Sequence, residues 1–382
     1  MASFIYLDNA STTRVFNEIL SQMPDIFEKY FANPNSIHTQ GQRVRNLIED
    51  SRRIISKFVG SSEDEIIFTS CATESNNTII RGTAYIQKDK NKILVSPIEH
   101  KSVLNPARYL AKRGFSVEFL KVDKTGVVDI DDLEKRLDKD VFLVSVIHGN
   151  NETGVLQDIT KIGKLCRERE VLFFSDVVQS FLKEDINLEF IDFFSVSGHK
   201  INAPKGIGLF YKRKDIEIEP LLLGGGQEKG YRSGTENPQY IKFISDAVKI
   251  WNSNKSEFYN HLKGLREYFE GRLKEVIPDV YIVSDSVDRL PHISCVIFPK
   301  IDAQTMILAL DSKGVCVSSG SACSSGAVNP SHVLLSYGFS KEEALRAVRF
   351  SFGIFNSKEE VDKTISFIKE IYDNYMKFIY FS

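Results

Sequence analysis

The apolar positions change their period from segment to segment, and each change reads as a new element. Val44, Leu47, Ile48, Ile54, Ile55, Phe58 and Val59 recur close to helical spacing, so 41–59 is expected to form an amphipathic helix. Strand-length apolar runs follow at 65–69, 92–96, 116–120, 141–147, 171–175, 190–196 and 206–211. Helical stretches such as 72–87, 101–112 and 159–168 lie between most of them. Several of these strands are apolar on both faces, as in a sheet covered by helices on each side. From about Arg14 to Tyr211 the pattern is α/β with a mostly parallel sheet.

After about Pro238 the texture changes. A long helical pattern runs through Trp251 towards Val276, followed by short strands at 280–283 and 293–298. Helical patterns at 303–312 and 357–378 complete the chain, the last with Val361, Ile365, Ile368, Tyr372, Tyr375 and Ile379 on one face. The expected division is a large domain over 14–259 and a smaller α+β domain formed by 1–13 with 260–382. Repeats, low-complexity tracts and Pro- or Ser-rich linkers are absent from the sequence.

Composition narrows the class. With 382 residues, 42% hydrophobic and 26% charged, the chain has material for a large core and excludes disordered, collagenous and disulfide-framework readings. A net charge of −2 argues against a general affinity for nucleic acid or anionic membranes. The first residues lack a secretory pattern, and the apolar runs are too short to span a bilayer. Five cysteines form no close CxxC pair, which fits a reducing cytoplasm and offers no zinc site. The seven histidines show no paired metal-ligand spacing, so no metal is expected.

In open α/β sheets, ligands bind in the loops that follow the carboxyl ends of the strands. Four such loops carry polar groups. Ser70 to Ser75, with Cys71, Ala72, Thr73 and Glu74, opens a helix whose free amides favour a phosphate. Glu99 and His100 follow the second strand, Asp176 and Gln179 a later one, and Ser197, Gly198, His199 and Lys200 the next. Each has a structural explanation: a strand-end Thr is usually an N-cap, a lone His a satisfied core group, Lys200 a solvated loop residue. Together they supply an anion site, a ring-sized polar residue, a carboxylate and a lysine. That set suits pyridoxal 5'-phosphate, which needs a lysine, a carboxylate for its ring nitrogen, and donors around its phosphate.

A second cluster places Cys323 among small residues from Ser318 to Gly326. Such a loop displays its thiol, whereas Cys166, Cys295 and Cys316 fall in helix or strand patterns and read as small core hydrophobes. An exposed thiol is an oxidation hazard, so a loop that displays one is expected to use it. Other chemistries are excluded by pattern. GxxxxGK[ST], HExxH and GxSxG do not occur, and neither Gly206-Ile207-Gly208 nor Gly224-Gly225-Gly226 completes a dinucleotide fingerprint.

At this point the chain resembles a known family. The blocks Tyr6 to Thr13, Cys71 to Ser75, Glu99 to Lys101, His148 to Gly154, Ser197 to Lys200, Arg232 to Thr235 and Ser318 to Cys323 resemble those of cysteine desulfurases of the NifS/IscS-like subgroup. They stand in the family's order over nearly the whole chain. The resemblance implies fold type I of the pyridoxal phosphate-dependent transferases, usually as a homodimer. Gly149 after His148, and Phe181-Leu182 after Gln179-Ser180, depart from the family's common residues, and the C-terminal end does not resemble the tail with which some members dock a scaffold protein.

The resemblance also implies roles. Lys200 matches the lysine that bonds the cofactor, Asp176 the partner of its ring nitrogen and Gln179 the donor to its phenolate oxygen. Thr73, beside Ala72, and Ser197 and His199 match phosphate ligands, and Thr235 matches one donated by the other subunit. His100 matches the imidazole stacked on the ring and active in proton transfer. Asn151 lies near cofactor and substrate, Arg349 matches the holder of the substrate carboxylate, and Asn33 assists it. Cys323 matches the nucleophile that accepts sulfur from L-cysteine, leaving L-alanine. The persulfide then passes to an acceptor such as an iron–sulfur scaffold protein or a tRNA-thiolation partner. Selenocysteine lyase, aminotransferase and non-catalytic scaffold readings share the same fold.

Overall fold

A computed structural model describes residues 4–320 and 329–381 of the chain. It begins with a short strand, β1 (Ile5–Tyr6), and two helices, α1 (Asn17–Lys29) and α2 (Thr39–Val59). In α2 the expected face is the buried one, with Val44, Ile48 and Ile55 inside, and Gly60 ends the helix in the left-handed region at φ 79°. Then come β2 (Ile66–Thr69), α3 (Ala72–Tyr85), β3 (Lys92–Val95), α4 (Lys101–Ala111), β4 (Ser116–Phe119), α5 (Ile130–Arg136), β5 (Val141–Ser145), α6 (Ile159–Glu168), β6 (Leu172–Asp176), β7 (Phe193–Ser197) and β8 (Gly208–Lys212). These alternate as the sequence pattern predicts, with strand boundaries shifted by up to three residues.

Seven of these strands form one sheet in the order β2-β8-β7-β6-β5-β3-β4. Six run in the same direction, while β8 runs antiparallel between β2 and β7. The two apolar faces of each strand go to separate cores. Ile66, Phe68, Leu94, Phe173 and Phe194 join one, and their neighbours Ile67, Ile93, Val95, Phe174 and Phe193 join the other. Alternation of side chains across the pleat, with helices above and below, accounts for the continuous apolar runs.

Past the sheet, α7 (Pro238–Ser253) and α8 (Lys255–Val276) replace the single long helix of the sequence pattern. Asn254 between them has φ −121° and ψ 16°, outside helical geometry, and breaks the run. The remaining elements are β9 (Tyr281–Ile282), β10 (Ile293–Ile297), α9 (Ala303–Ser312), β11 (Val315–Cys316), α10 (His332–Ser336), α11 (Lys341–Ala344), β12 (Ala347–Ser351) and α12 (Lys358–Phe381). Strands β12, β10 and β9 form an antiparallel sheet, and β1 pairs in parallel with β11. Strand β12 has no counterpart among the sequence expectations, because Arg349 at its centre interrupts the apolar run. Cys166 and Cys295 are buried as expected, whereas Cys316 is half-buried at the short pairing of β1 with β11. Among the described residues, no helix is long and apolar enough to cross a membrane.

Candidate active site

The carboxyl ends of β2, β3, β5, β6 and β7 open onto a cavity of about 270 Å³. Its floor comes from the large sheet and its far wall from Ala10 and Ser11, from Arg349 on β12, and from Ser318, Ser319 and Gly320 after β11. The four polar loops singled out from the sequence therefore converge, as the strand-end rule requires.

Cys71, Ala72 and Thr73 begin α3 beside the cavity, with amide groups that have no partner inside the helix. Gly208 on β8 lets that first turn sit against the sheet: a Cβ there would lie 2.8 Å from the Cys71 backbone and 2.7 Å from the Val196 carbonyl. On the adjacent strand end, Ser197 and His199 line the same wall. His199 Nδ1 lies 3.1 Å from Thr12 Oγ1, and burial, reinforced by Lys200 and Lys205, pushes the ring down to about 4. It is a neutral donor or acceptor at physiological pH.

Lys200 Nζ donates to the carbonyls of Ala10 and Ser11, each at 2.6 Å. Asp176, at the end of β6, is buried. Its Oδ1 accepts from the Val178 amide at 3.0 Å and its Oδ2 from Asn76 Nδ2 at 3.0 Å. Burial pushes its carboxyl up, against the opposing pull of the Val178 amide, His100, Asn76 and Lys200. Gln179 donates to the Ala10 carbonyl at 2.8 Å, and its Oε1 lies 3.2 Å from Nε2 of the buried His292. His100 caps α4: its Nδ1 accepts from the Ser102 amide at 3.2 Å. Burial lowers its pKa, with Asp176 opposing.

Arg349 is almost wholly buried. Nη1 donates to the Asn151 carbonyl at 2.9 Å, and Nη2 donates to Asp8 Oδ1 at 2.7 Å and Ser11 Oγ at 2.6 Å. Nε is buried without a partner. Arg349 thus lines the cavity with a guanidinium held by its tips and one buried donor unsatisfied.

The cavity thus brings together Lys200, Asp176, Gln179, His100, Ala72, Thr73, Ser197, His199, Asn151 and Arg349. Asn33 and Thr235 are exposed and do not line it within one chain. Cys323 lies outside the described residues. Sequence reasoning passed over Asp8, Ser11, Asn76, Ser102, His292 and His332. Asp8 and Ser11 stand inside the Tyr6 to Thr13 block, which was a usable signal. The others carry no local pattern.

The cavity also fits pyridoxal phosphate: a buried carboxylate, a lysine and a helix start all line one space. Comparison with known proteins agrees. The aminotransferase class-V model matches residues 5–364. The chain belongs to this family. A protein named cysteine desulfurase IscS, from Dictyoglomus turgidum, is 39% identical over 96% of this chain and 94% of its own length. Another of that name, from Buchnera aphidicola, is 41% identical over 96% and 92%. Among solved structures, a NifS-like protein superposes with a TM-score of 0.91 at 37% identity, covering 97% of this chain and all of that one. SspA in complex with cysteine is also similar, with a TM-score of 0.79, 31% identity, and coverage of 92% and 100%. The fold is the fold type I arrangement expected from the sequence, and the cofactor of this class is pyridoxal phosphate.

Proposed function

We propose that the protein is a cysteine desulfurase, which converts L-cysteine to L-alanine and leaves a persulfide on Cys323. What supports this most directly is the convergence of Lys200, Asp176, Gln179 and His100 with Arg349, beside Ser318 to Gly320. Lys200 and Asp176 would hold the cofactor by its aldehyde carbon and its ring nitrogen. Gln179 would hold its phenolate oxygen. The first turn of α3, with Ser197 and His199, would take the phosphate, and Thr235 of a second copy would join them in a homodimer. When bound, the cofactor supplies an electron sink for a carbanion at the substrate Cα.

Arg349 orients the substrate by its carboxylate, with Asn151 and Asn33 near it. Lys200, whose amine would hold the cofactor in the resting enzyme, would move the Cα proton of the substrate. Cys323, as thiolate, attacks the substrate sulfur: an S–S bond forms, the Cβ–S bond breaks, and its electron pair stays with the carbon skeleton. Protonation of that skeleton gives alanine, and His100 and Lys200 are the donors at hand. The body that carries the cofactor is 14–259, and 1–13 with 260–382 carry the thiol. The persulfide is passed to an acceptor in the cytoplasm, an iron–sulfur scaffold or a tRNA-thiolation partner.

The test is alanine and sulfide released from L-cysteine under reductant, with visible absorption read in the same sample. Equal yields are expected from a yellow protein, and Cys323→Ser is expected to stay yellow and release neither. Full turnover by Cys323→Ser removes the thiol from the mechanism. A yellow protein that needs an amino acceptor moves the reaction to transamination.

A further inference from the structure

Behind the cavity, buried polar groups link Asp176 to His100. Asn76 on α3 is fully buried, and its Nδ2 lies 3.0 Å from Asp176 Oδ2 and 2.8 Å from Ser102 Oγ. Ser102, in the first turn of α4, places that Oγ 2.8 Å from His100 Nδ1, while its own amide donates to the same nitrogen. The direction of every bond in this series follows from one end. An ionised carboxylate only accepts, so Asn76 must turn its amino group towards Asp176. That same nitrogen faces Ser102 Oγ, which therefore accepts from Asn76 and has its own hydrogen left to give. The hydrogen goes to His100 Nδ1, which already accepts from the Ser102 amide. Nδ1 then carries no proton, and the neutral ring carries its proton on Nε2.

We propose that Asn76 and Ser102 are positioning residues that transmit the ionised state of Asp176 to His100 and hold it as the Nε2–H tautomer, a proton donor towards the cavity it lines. The inference rests on the cofactor reading in one respect: a protonated ring nitrogen beside Asp176 keeps that carboxylate ionised. The other titratable groups acting on His100 are Lys200, His332 and Lys101, all cations when charged. They oppose a second proton on the ring, so the neutral form is the one to be oriented. The arrangement makes His100 a donor on its cavity side from the start of turnover. A base at that position would need the opposite tautomer, which two donors at Nδ1 disfavour.

The experiment is nitrogen NMR of the holoenzyme labelled with 15N-histidine, with His100 assigned by the signals lost in His100→Gln. The bare ring nitrogen resonates far downfield of the protonated one, so the tautomer is read directly. Nδ1 bare and Nε2 protonated is the expected pattern. Asn76→Asp keeps the shape but sets a second carboxyl about 3.0 Å from Asp176; the two share one proton, Ser102 Oγ loses its amide donor, and its hydrogen turns away from the ring. The expected shift is towards Nδ1–H or the doubly protonated ring. Ser102→Ala serves if that variant fails to fold: it is expected to weaken the preference and lower kcat about tenfold, and Ser102→Thr is expected to restore both. A wild-type ring protonated at Nδ1, or one unchanged by Asn76→Asp and by Ser102→Ala, overturns the proposal. Visible absorption reports cofactor uptake separately. A protein that stays colourless yet shows Nε2–H would lose the cofactor reading and leave the tautomer to the Ser102 amide alone, which overturns the relay.

Discussion

At the scale of single residues, the most informative group is Arg349. A guanidinium buried in the middle of a strand is costly unless each donor finds an acceptor. Here Asp8 and Ser11 at one tip and the Asn151 carbonyl at the other fix its plane, while Nε stays buried without a partner. Lysine cannot reproduce that fork, since its ammonium is a point donor. Arg349→Lys is therefore expected to raise KM for cysteine by roughly tenfold to a hundredfold, the equivalent of one lost charged hydrogen bond. Asp8→Asn is expected to act in the same direction and less strongly, because it loosens the guanidinium without removing it. Steady-state alanine formation across cysteine concentrations checks both, and an unchanged KM in Arg349→Lys would remove it from substrate binding. Arg349 was legible only through the family resemblance. Asp8 lay in a quoted block without a role, since nothing local says that a residue near the N-terminus meets one near 349.

At the scale of elements, a buried ion pair joins α2, β2 and the turn at 228–230. Arg52 makes a two-pronged pair with Glu228, both bonds 2.8 Å, and also donates to the Ile66 carbonyl at 2.7 Å. Glu228 Oε2 in turn accepts from the Phe68 amide at 2.8 Å. Removing the Glu228 charge leaves the buried Arg52 only the partly exposed Glu49, 3.0 Å from its Nε, so Glu228→Gln is expected to cost about 3 kcal/mol. Urea unfolding followed by far-ultraviolet circular dichroism measures that loss. A loss below about 1 kcal/mol would mean that water reaches Arg52 when its partner is neutral. Gly208 is the second test at this scale. Its missing side chain lets the start of α3 approach β8, so Gly208→Ala is expected to push the helix outward and weaken cofactor retention. Absorbance after dialysis gives the readout, and full retention would show that the helix start can yield.

At the scale of the whole molecule, burial fixes how stability responds to pH. His148 is pushed down to about 4 by burial, with Asp158 opposing. In the unfolded chain a histidine titrates near 6.5. Between pH 6.5 and about 4 the unfolded state therefore takes up a proton that the fold refuses, and stability falls as pH falls. His199, also at about 4, acts in the same sense. Glu184 acts in the opposite one: burial raises it to about 7, so its contribution is complete below its ordinary range and is lost as pH rises through 7. The sum hides the parts, and a variant separates them. His148→Gln is expected to make the decline below pH 6.5 shallower by about 1.4 kcal/mol per pH unit. Denaturant midpoints at pH 4.5, 5.5 and 6.5 measure it, and parallel curves for the two proteins would show that His148 is protonated in the fold.

The sequence alone determined the alternation of strands and helices, because period-two and period-3.6 apolar patterns are local, and it determined the residue types at the strand ends. Cys71 to Ser75, His100, Asp176, Gln179 and Lys200 were all readable there, since loops after parallel strands point one way. Tertiary structure decided which distant groups meet those residues. Asp8 lies 341 positions from Arg349, and Asn76 lies 100 from Asp176. It also decided that β8 enters the sheet antiparallel, and that a helical run ending at Ser253 starts afresh at Lys255. Contacts of this kind depend on how the sheet twists and where helices pack upon it. No local pattern encodes them, because each partner is an ordinary polar residue until the other is brought beside it.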